Sequence, residues 1–242
     1  MQMRHEFTIW MENVRSGLRM TDKALLEIFG DMATLHGMSI GQGIDKRDIH
    51  HFVWMTLNWK LQITRRPKVG ETVTAVTWAR DYTRAQAFRD HLILDKDGNE
   101  LVRATSNWVL VDDRDESILR LTPEIMDPYQ SEPEHQNFPG FKFRRPPKEG
   151  PSVLREIEYP ILRCMIDENG HVHNTNYLDM VREVLPEELD PEDFTGLEAA
   201  YRQEVKPENG SVIVTYGREG DSHIVRILDK EDHSLHAEVV LQ

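Results

Sequence analysis

Ile93-Leu94-Asp95-Lys96 returns as Ile227-Leu228-Asp229-Lys230, the same four residues in the same order, 134 positions later (227 − 93). Each copy closes an apolar run and is followed by a turn and a further apolar run, residues 101–111 in the first case and 235–241 in the second. A second pair lies upstream. Pro67-Lys68-Val69-Gly70 precedes alternating Val73, Ala75 and Thr77, and Pro207-Glu208-Asn209-Gly210 precedes Val212, Val214 and Tyr216, an offset of 140 (207 − 67). Two matches in one order, with matched surroundings, read as an internal duplication. The fall in offset places a shorter hairpin between them in the second copy.

A helix pattern precedes the strands of each half. Leu25, Ile28, Phe29, Met32 and Leu35 follow helical spacing after Thr21 or Asp22 as cap, and Tyr177, Met180, Val181, Val184 and Leu185 do so after Asn174 or Thr175, with Pro186 as the stop. The strands are long and joined by short turns such as Asp97-Gly98-Asn99. A helix followed by an antiparallel sheet that wraps it is an α+β layout, the hot dog. Two tandem hot-dog domains are therefore expected, each a long helix wrapped by an antiparallel sheet. Between them, residues 129–151 hold Pro133, Pro139, Gly140, Pro146, Pro147, Gly150 and Pro151, a linker composition. The expected boundaries are 1–130, a linker at 131–151, and 152–242. Phe138, Phe141 and Phe143 predict a linker packed along the surface.

The 242 residues, 39% apolar and 29% charged, describe an ordinary soluble chain. No apolar run reaches the ~18 residues of a membrane span. Residues 1–10 read as a short strand and not as a signal peptide. Cys164 is the sole cysteine, so no internal disulfide forms and a cytoplasmic location is expected. Of the net charge of −13, residues 151–242 carry −12 (20 acids, 8 bases) and residues 1–150 carry −1 (22 acids, 21 bases). That balance lacks the basic excess of a nucleic-acid protein. An acidic partner has the linker bases Lys142, Arg144, Arg145 and Lys148 to meet.

Asp167-Glu168-Asn169-Gly170-His171 puts a carboxylate, an amide and an imidazole at alternate positions. In an extended segment they share one face, ahead of a helix whose first N–H groups can receive an oxyanion. A polar turn with a helix cap fits the spacing equally well. His171 can exchange a proton near neutral pH, Asp167 can hold the ring or activate water, and Asn169 can bind a carbonyl or water. Glu204, ahead of Pro207, joins this set if the fold brings it to the helix start. His171-x-His173 has no third ligand at a metal-site spacing, so no metal and no cofactor are expected.

Asp167-x-Asn169-x-His171-Val172-x-Asn174-x-x-Tyr177 resembles the D-x-N-x-H-V-N-N-x-x-Y signature of the acyl-acyl carrier protein (acyl-ACP) thioesterases of plants and bacteria. Tyr201-Arg202-x-Glu204 resembles that family's Y-R-x-E element. Residues 66–78 resemble its Y-P-x-W-G-D-x-V…T-W stretch, and residues 103–109 its A-x-S-x-W-V strand. The resemblance implies hydrolysis of fatty acyl-ACP to free fatty acid, ending fatty acid synthesis. It implies Asp167, Asn169, His171 and Glu204 as catalytic residues in the second domain, with helix-start N–H groups near Asn174 binding the oxyanion. It places the acyl chain in the first domain, where Met32, Leu35, Met38, Trp54, Met55 and Trp59 are expected to line its path. Acyl carrier protein is the implied partner. Three departures stand out. His173 replaces an Asn, Asn176 a Lys of plant members, and Val205 a Cys beside the acidic residue. Cys164 is expected to be buried. The competing readings are an acyl-CoA hydrolase, a hot-dog dehydratase and a non-catalytic acyl-binding module.

Overall fold

A computed structural model describes residues 1–242. The chain divides into two compact units, one of Met1–Met20 with Ala24–Lys142, the other of Thr21–Lys23 with Phe143–Gln242. No helix is long and apolar enough to cross a membrane.

In the first unit the elements run β1 (Gln2–Thr8), α1 (Asp22–Ser39), α2 (Arg47–His50), β2 (Phe52–Ile63), β3 (Thr72–Tyr82), β4 (Ala87–Leu94), β5 (Glu100–Asp112), β6 (Ile118–Leu119) and α3 (Pro123–Met126). The sheet order is β1-β3-β4-β5-β2, antiparallel throughout, with β6 added to β5. In the second unit β7 (Val153–Pro160), α4 (Tyr177–Val184), β8 (Gly196–Tyr201), β9 (Ser211–Glu219), β10 (Ser222–Asp229) and β11 (Leu235–Leu241) follow. Their order is β7-β9-β10-β11-β8, again antiparallel. Position for position this is the arrangement of the first unit, as expected of a duplicated half.

The repeat extends to a structural irregularity. The β4–β5 register slips between Ile93 and Leu94, and the β10–β11 register slips between Ile227 and Leu228. In both copies the following aspartate closes the turn. Asp95 Oδ1 accepts the N–H of Asp97 at 2.9 Å and of Asn99 at 2.8 Å, and Asp229 Oδ1 accepts those of Glu231 at 2.8 Å and Asp232 at 3.2 Å. The alternating residues Val73, Ala75 and Thr77, and Val212, Val214 and Tyr216, are all buried. The β9–β10 hairpin is the shorter one, with Gly220 and Asp221 between strands against residues 83–86 in the first unit.

Helix α1 buries Leu25, Ile28, Phe29 and Met32, with Phe29 stacked on Trp59 of β2. Two of the residues expected beside them depart from that face. Leu35 is 38% exposed and Met38 39%. The seam runs 25, 28/29, 32, 36 at helical spacing, so His36 takes the inward position and is fully buried. Helix α4 has eight residues against eighteen in α1 and buries Tyr177, Leu178, Met180, Val181 and Val184.

Two local expectations are corrected. The segment before α4 is capped by His173, not by Asn174 or Thr175, which lie inside a short 3-10 turn, Asn174–Asn176. Cys164 is exposed in the turn Arg163–Met165, because that three-residue turn buries Met165 instead. Strand β7 has no counterpart among the sequence expectations.

The linker stretch is held at several points. In the first unit Asn137 donates to His91 O at 2.8 Å and Ala104 O at 2.9 Å, and Lys60 Nζ lies over the rings of Phe138 and Phe141 at 5.5 and 4.5 Å. In the second, Arg226 donates to Pro147 O at 3.0 Å.

Candidate active site

The stretch 167–171 is a tight turn, not an extended segment. Ile166 and Val172 bridge its ends. Asp167 N donates to His171 O at 2.8 Å, and Gly170 N to Asp167 O at 3.0 Å. Gly170 adopts φ 82°, left-handed backbone that glycine enters without a Cβ clash. The alternation of D-x-N-x-H mimics a strand period, but Asn-Gly is a strong turn former and wins.

The Asp167 carboxylate is committed to that turn. Its Oδ1 accepts from Asn169 N at 2.9 Å and from His171 N at 3.3 Å. Asn169 stands in the turn, half-buried. The chain then crosses to the segment after β8, where Val172 N donates to Val205 O at 2.8 Å. This bond brings the neighbouring side chains together. His171 Nε2 lies 3.3 Å from Glu204 Oε2, with the two side chains 13% and 34% exposed. Glu204 lies in the irregular connection after β8, not in a strand. Lys206 Nζ is 3.8 Å from the same carboxylate oxygen. The other ring nitrogen, His171 Nδ1, is buried and makes no hydrogen bond. With Nε2–H donating to Glu204, the tautomer assigned from this pairing, Nδ1 carries a lone pair.

Two tyrosines frame the pair. Tyr177 opens α4 and is buried, and Tyr201 ends β8, their rings 5.5 Å apart edge to face. Burial holds the Tyr177 phenol well above its ordinary range, and the negative charges of Glu204 and Asp167 push it the same way. Burial does the same to Tyr201. Both phenols therefore stay protonated. Tyr201 donates to Asn174 O at 3.0 Å and so fixes the entry to α4. There His173 Nδ1 lies 2.9 Å from Thr175 Oγ1 and 3.5 Å from Thr175 N, and Asn176 N donates to His173 O at 2.9 Å. The His173 imidazole thus caps the helix entry. Asn176 bridges Met165 O and Lys23 Nζ, at 3.0 and 2.7 Å. Val205 is fully buried.

Of the residues expected to carry chemistry, His171 and Glu204 meet directly, and Asp167 reaches them through the backbone of the turn. Asn174 lies at the helix entry beside them. Trp54, Trp59 and Met32 belong to the first unit. Trp59 and Met32 are fully buried, and Trp54 packs on the Phe52–Tyr129 cluster. Lys206 and the two tyrosines extend the expected set. Lys206 was legible as a base two residues from Glu204.

Two units of one topology, each a helix on an antiparallel sheet, with a histidine–carboxylate pair in the second, define a double hot dog. The family follows from comparison. The acyl-ACP thioesterase N-terminal domain profile matches residues 1–129, and the C-terminal domain profile matches residues 151–238. The chain belongs to the acyl-ACP thioesterase family. It is 24% identical over 223 residues to oleoyl-acyl carrier protein thioesterase 1, chloroplastic, of Arabidopsis thaliana, covering 85% of this chain and 61% of that protein. The fold is shared with a Lactobacillus plantarum protein provisionally described as an oleoyl thioesterase, at TM-score 0.85 and 25% identity over 100% of this chain and 95% of that one. It is shared equally with the 12:0-ACP thioesterase from Umbellularia californica, at TM-score 0.82 and 19% identity over 100% and 96%.

Proposed function

We propose that this protein hydrolyses the thioester of fatty acyl-ACP, releasing free fatty acid and carrier protein and so ending chain elongation. The observation that carries the reading is the approach of His171 and Glu204, residues 33 positions apart (204 − 171), to 3.3 Å, with the second ring nitrogen unpaired.

In this reading Glu204, one-third exposed, takes a proton from the attacking water, and the His171 Nε2–H orients its carboxylate. The carbonyl oxygen gains negative charge as the tetrahedral intermediate forms. The Asn174 N–H lies at the helix entry to receive it. Collapse breaks the C–S bond, and Glu204 returns the proton to the thiolate. Asp167 positions His171 by holding the turn, and Asn169 binds water or the carbonyl. A cysteine nucleophile has no support. Val205 occupies the position of the plant cysteine, and Cys164 lies exposed on another turn.

The first unit takes the acyl chain, with Met32, Trp54 and Trp59 along its path. Acyl carrier protein docks on the exposed linker bases, Lys142, Arg144 and Arg145, and the lone cysteine suits a reducing cytoplasm. Thiol release from acyl-ACPs and acyl-CoAs of graded length tests this. Faster release from acyl-ACP supports it, and release from acyl-CoA alone replaces the carrier. No release by folded protein removes the hydrolase reading.

A further inference from the structure

Arg89, on β4 in the first unit, is 7% exposed and forms no ion pair. A buried guanidinium without a carboxylate is rare, because the cost of desolvating the charge is not offset. Its two side-chain hydrogen bonds both leave from Nη1, to His36 Nδ1 at 3.0 Å and to Thr77 Oγ1 at 3.2 Å. The remaining contact is with the Tyr129 ring, 5.4 Å from the guanidinium carbon. Asp90, next in sequence, serves other partners, Asn137 N at 2.7 Å and Arg80 at 3.7 Å.

Around Arg89 the N–H groups outnumber the acceptors, which are Thr77 Oγ1, His36 Nδ1 and the Tyr129 phenol. Because His36 Nδ1 accepts from Arg89, its proton is on Nε2, and that buried N–H has no acceptor. Burial, with Arg89 beside it, holds the His36 imidazole down to about 3, so it stays neutral. The Trp54 indole N–H, buried with its ring 6.2 Å from Tyr129, meets the Tyr129 phenol. Beside one tyrosine ring, His36 and Arg89 thus leave unsatisfied N–H groups and one unbalanced positive charge. A carboxylate is acceptor-only and negative, and complements both features.

We propose that Arg89, with His36 and Trp54 around Tyr129, forms a binding site for the carboxylate of an alkyl carboxylic acid. The site lies in the half that takes the acyl chain, and the proposal rests on that reading. Two sources supply the same chemistry. One is a released fatty acid held by its head group. The other is an acyl chain carrying a second carboxyl group at its far end.

Calorimetric titration of the whole protein with decanoate and with decan-1-ol tests the site without recourse to turnover. Decanoate should bind about 10- to 100-fold more tightly, the worth of one or two charge-assisted hydrogen bonds. Arg89→Met, checked for folding by circular dichroism, should bring the two affinities together while leaving that for decan-1-ol unchanged. Equal binding of both by the unaltered protein overturns the site and leaves the acyl-binding reading standing. Binding of neither overturns both. Hydrolysis of carrier protein loaded with the half-thioester of dodecanedioic acid, compared with dodecanoyl carrier protein, separates the sources. Selective loss of the first substrate in Arg89→Met assigns the far-end carboxyl. Equal turnover in both proteins, with the decanoate preference intact, assigns the free acid.

Discussion

At the scale of single residues, the site separates groups that react from groups that hold. Glu204 touches His171 and is one-third exposed, so Glu204→Gln removes a charge at little cost to folding. We expect a fall in kcat/KM of about 10²- to 10⁴-fold with an unchanged melting temperature. An unaltered rate in the folded variant would take Glu204 out of the mechanism. Asp167 makes the contrasting case. Its Oδ1 accepts two backbone N–H groups, and an asparagine retains an oxygen there. Asp167→Asn should therefore keep most of the activity, whereas Asp167→Ala should lose about 1–3 kcal/mol of stability. A rate loss in Asp167→Asn as large as that in Glu204→Gln would place the Asp167 carboxylate at the reacting atoms.

The scale of elements shows what the sequence reveals and what it withholds. The strands of both halves are legible because Val73 and Ala75, and Val212 and Val214, alternate with less buried residues at the starts of β3 and β9, and the repeated Ile-Leu-Asp-Lys marks one bulge twice. Strand β7 is not legible, because Val153, Leu154, Arg155 and Glu156 are all exposed and an edge strand needs no apolar alternation. The Asp167–His171 stretch shows the converse, since residue spacing alone did not distinguish a strand from a turn. Its polar residues were legible, but Glu204 became a partner of His171 only through the Val172–Val205 hydrogen bond. Arg89 is hidden in the sequence among Arg-Asp-His, a polar run that gives no apolar signal although the fold buries all three residues. One prediction belongs at this scale. His173→Ala removes the cap before α4 and should cost about 1 kcal/mol, with a larger loss of turnover than of stability because the Asn174 N–H moves with the helix entry. Unchanged turnover in denaturant titration-matched samples would detach the oxyanion role from that entry.

For the whole molecule, buried charge governs the response to pH and to mutation. The folded His36 pKa, about 3, lies below the ordinary 6.5. Its contribution to stability is therefore present above pH 6.5 and is lost as the pH falls through about 3. Glu192 acts in the opposite sense. Burial pushes it up to about 7, so its contribution is present below about pH 4.5 and is lost as the pH rises through 7. His36→Gln puts a neutral amide in place of the imidazole and removes the titration. Urea unfolding between pH 7 and 4 should show a shallower decline in the variant than in the parent, and parallel curves would contradict the buried neutral state. In the second unit Arg226 and Glu238 form a buried pair at 3.2 Å. Glu238→Ala leaves the guanidinium uncompensated and should cost about 3–5 kcal/mol, read from the same unfolding curves. A loss below 1 kcal/mol would mean that the Pro147 and Lys148 carbonyls satisfy Arg226 without the carboxylate.

The most direct test of the central claim is a single-turnover measurement of thiol release from dodecanoyl-ACP by the parent protein and by His171→Ala, each verified as folded. The account predicts rapid release by the parent and a loss of at least about 10²-fold in the variant. Equal release by both, or none by the parent across acyl-ACPs of other lengths, would contradict it.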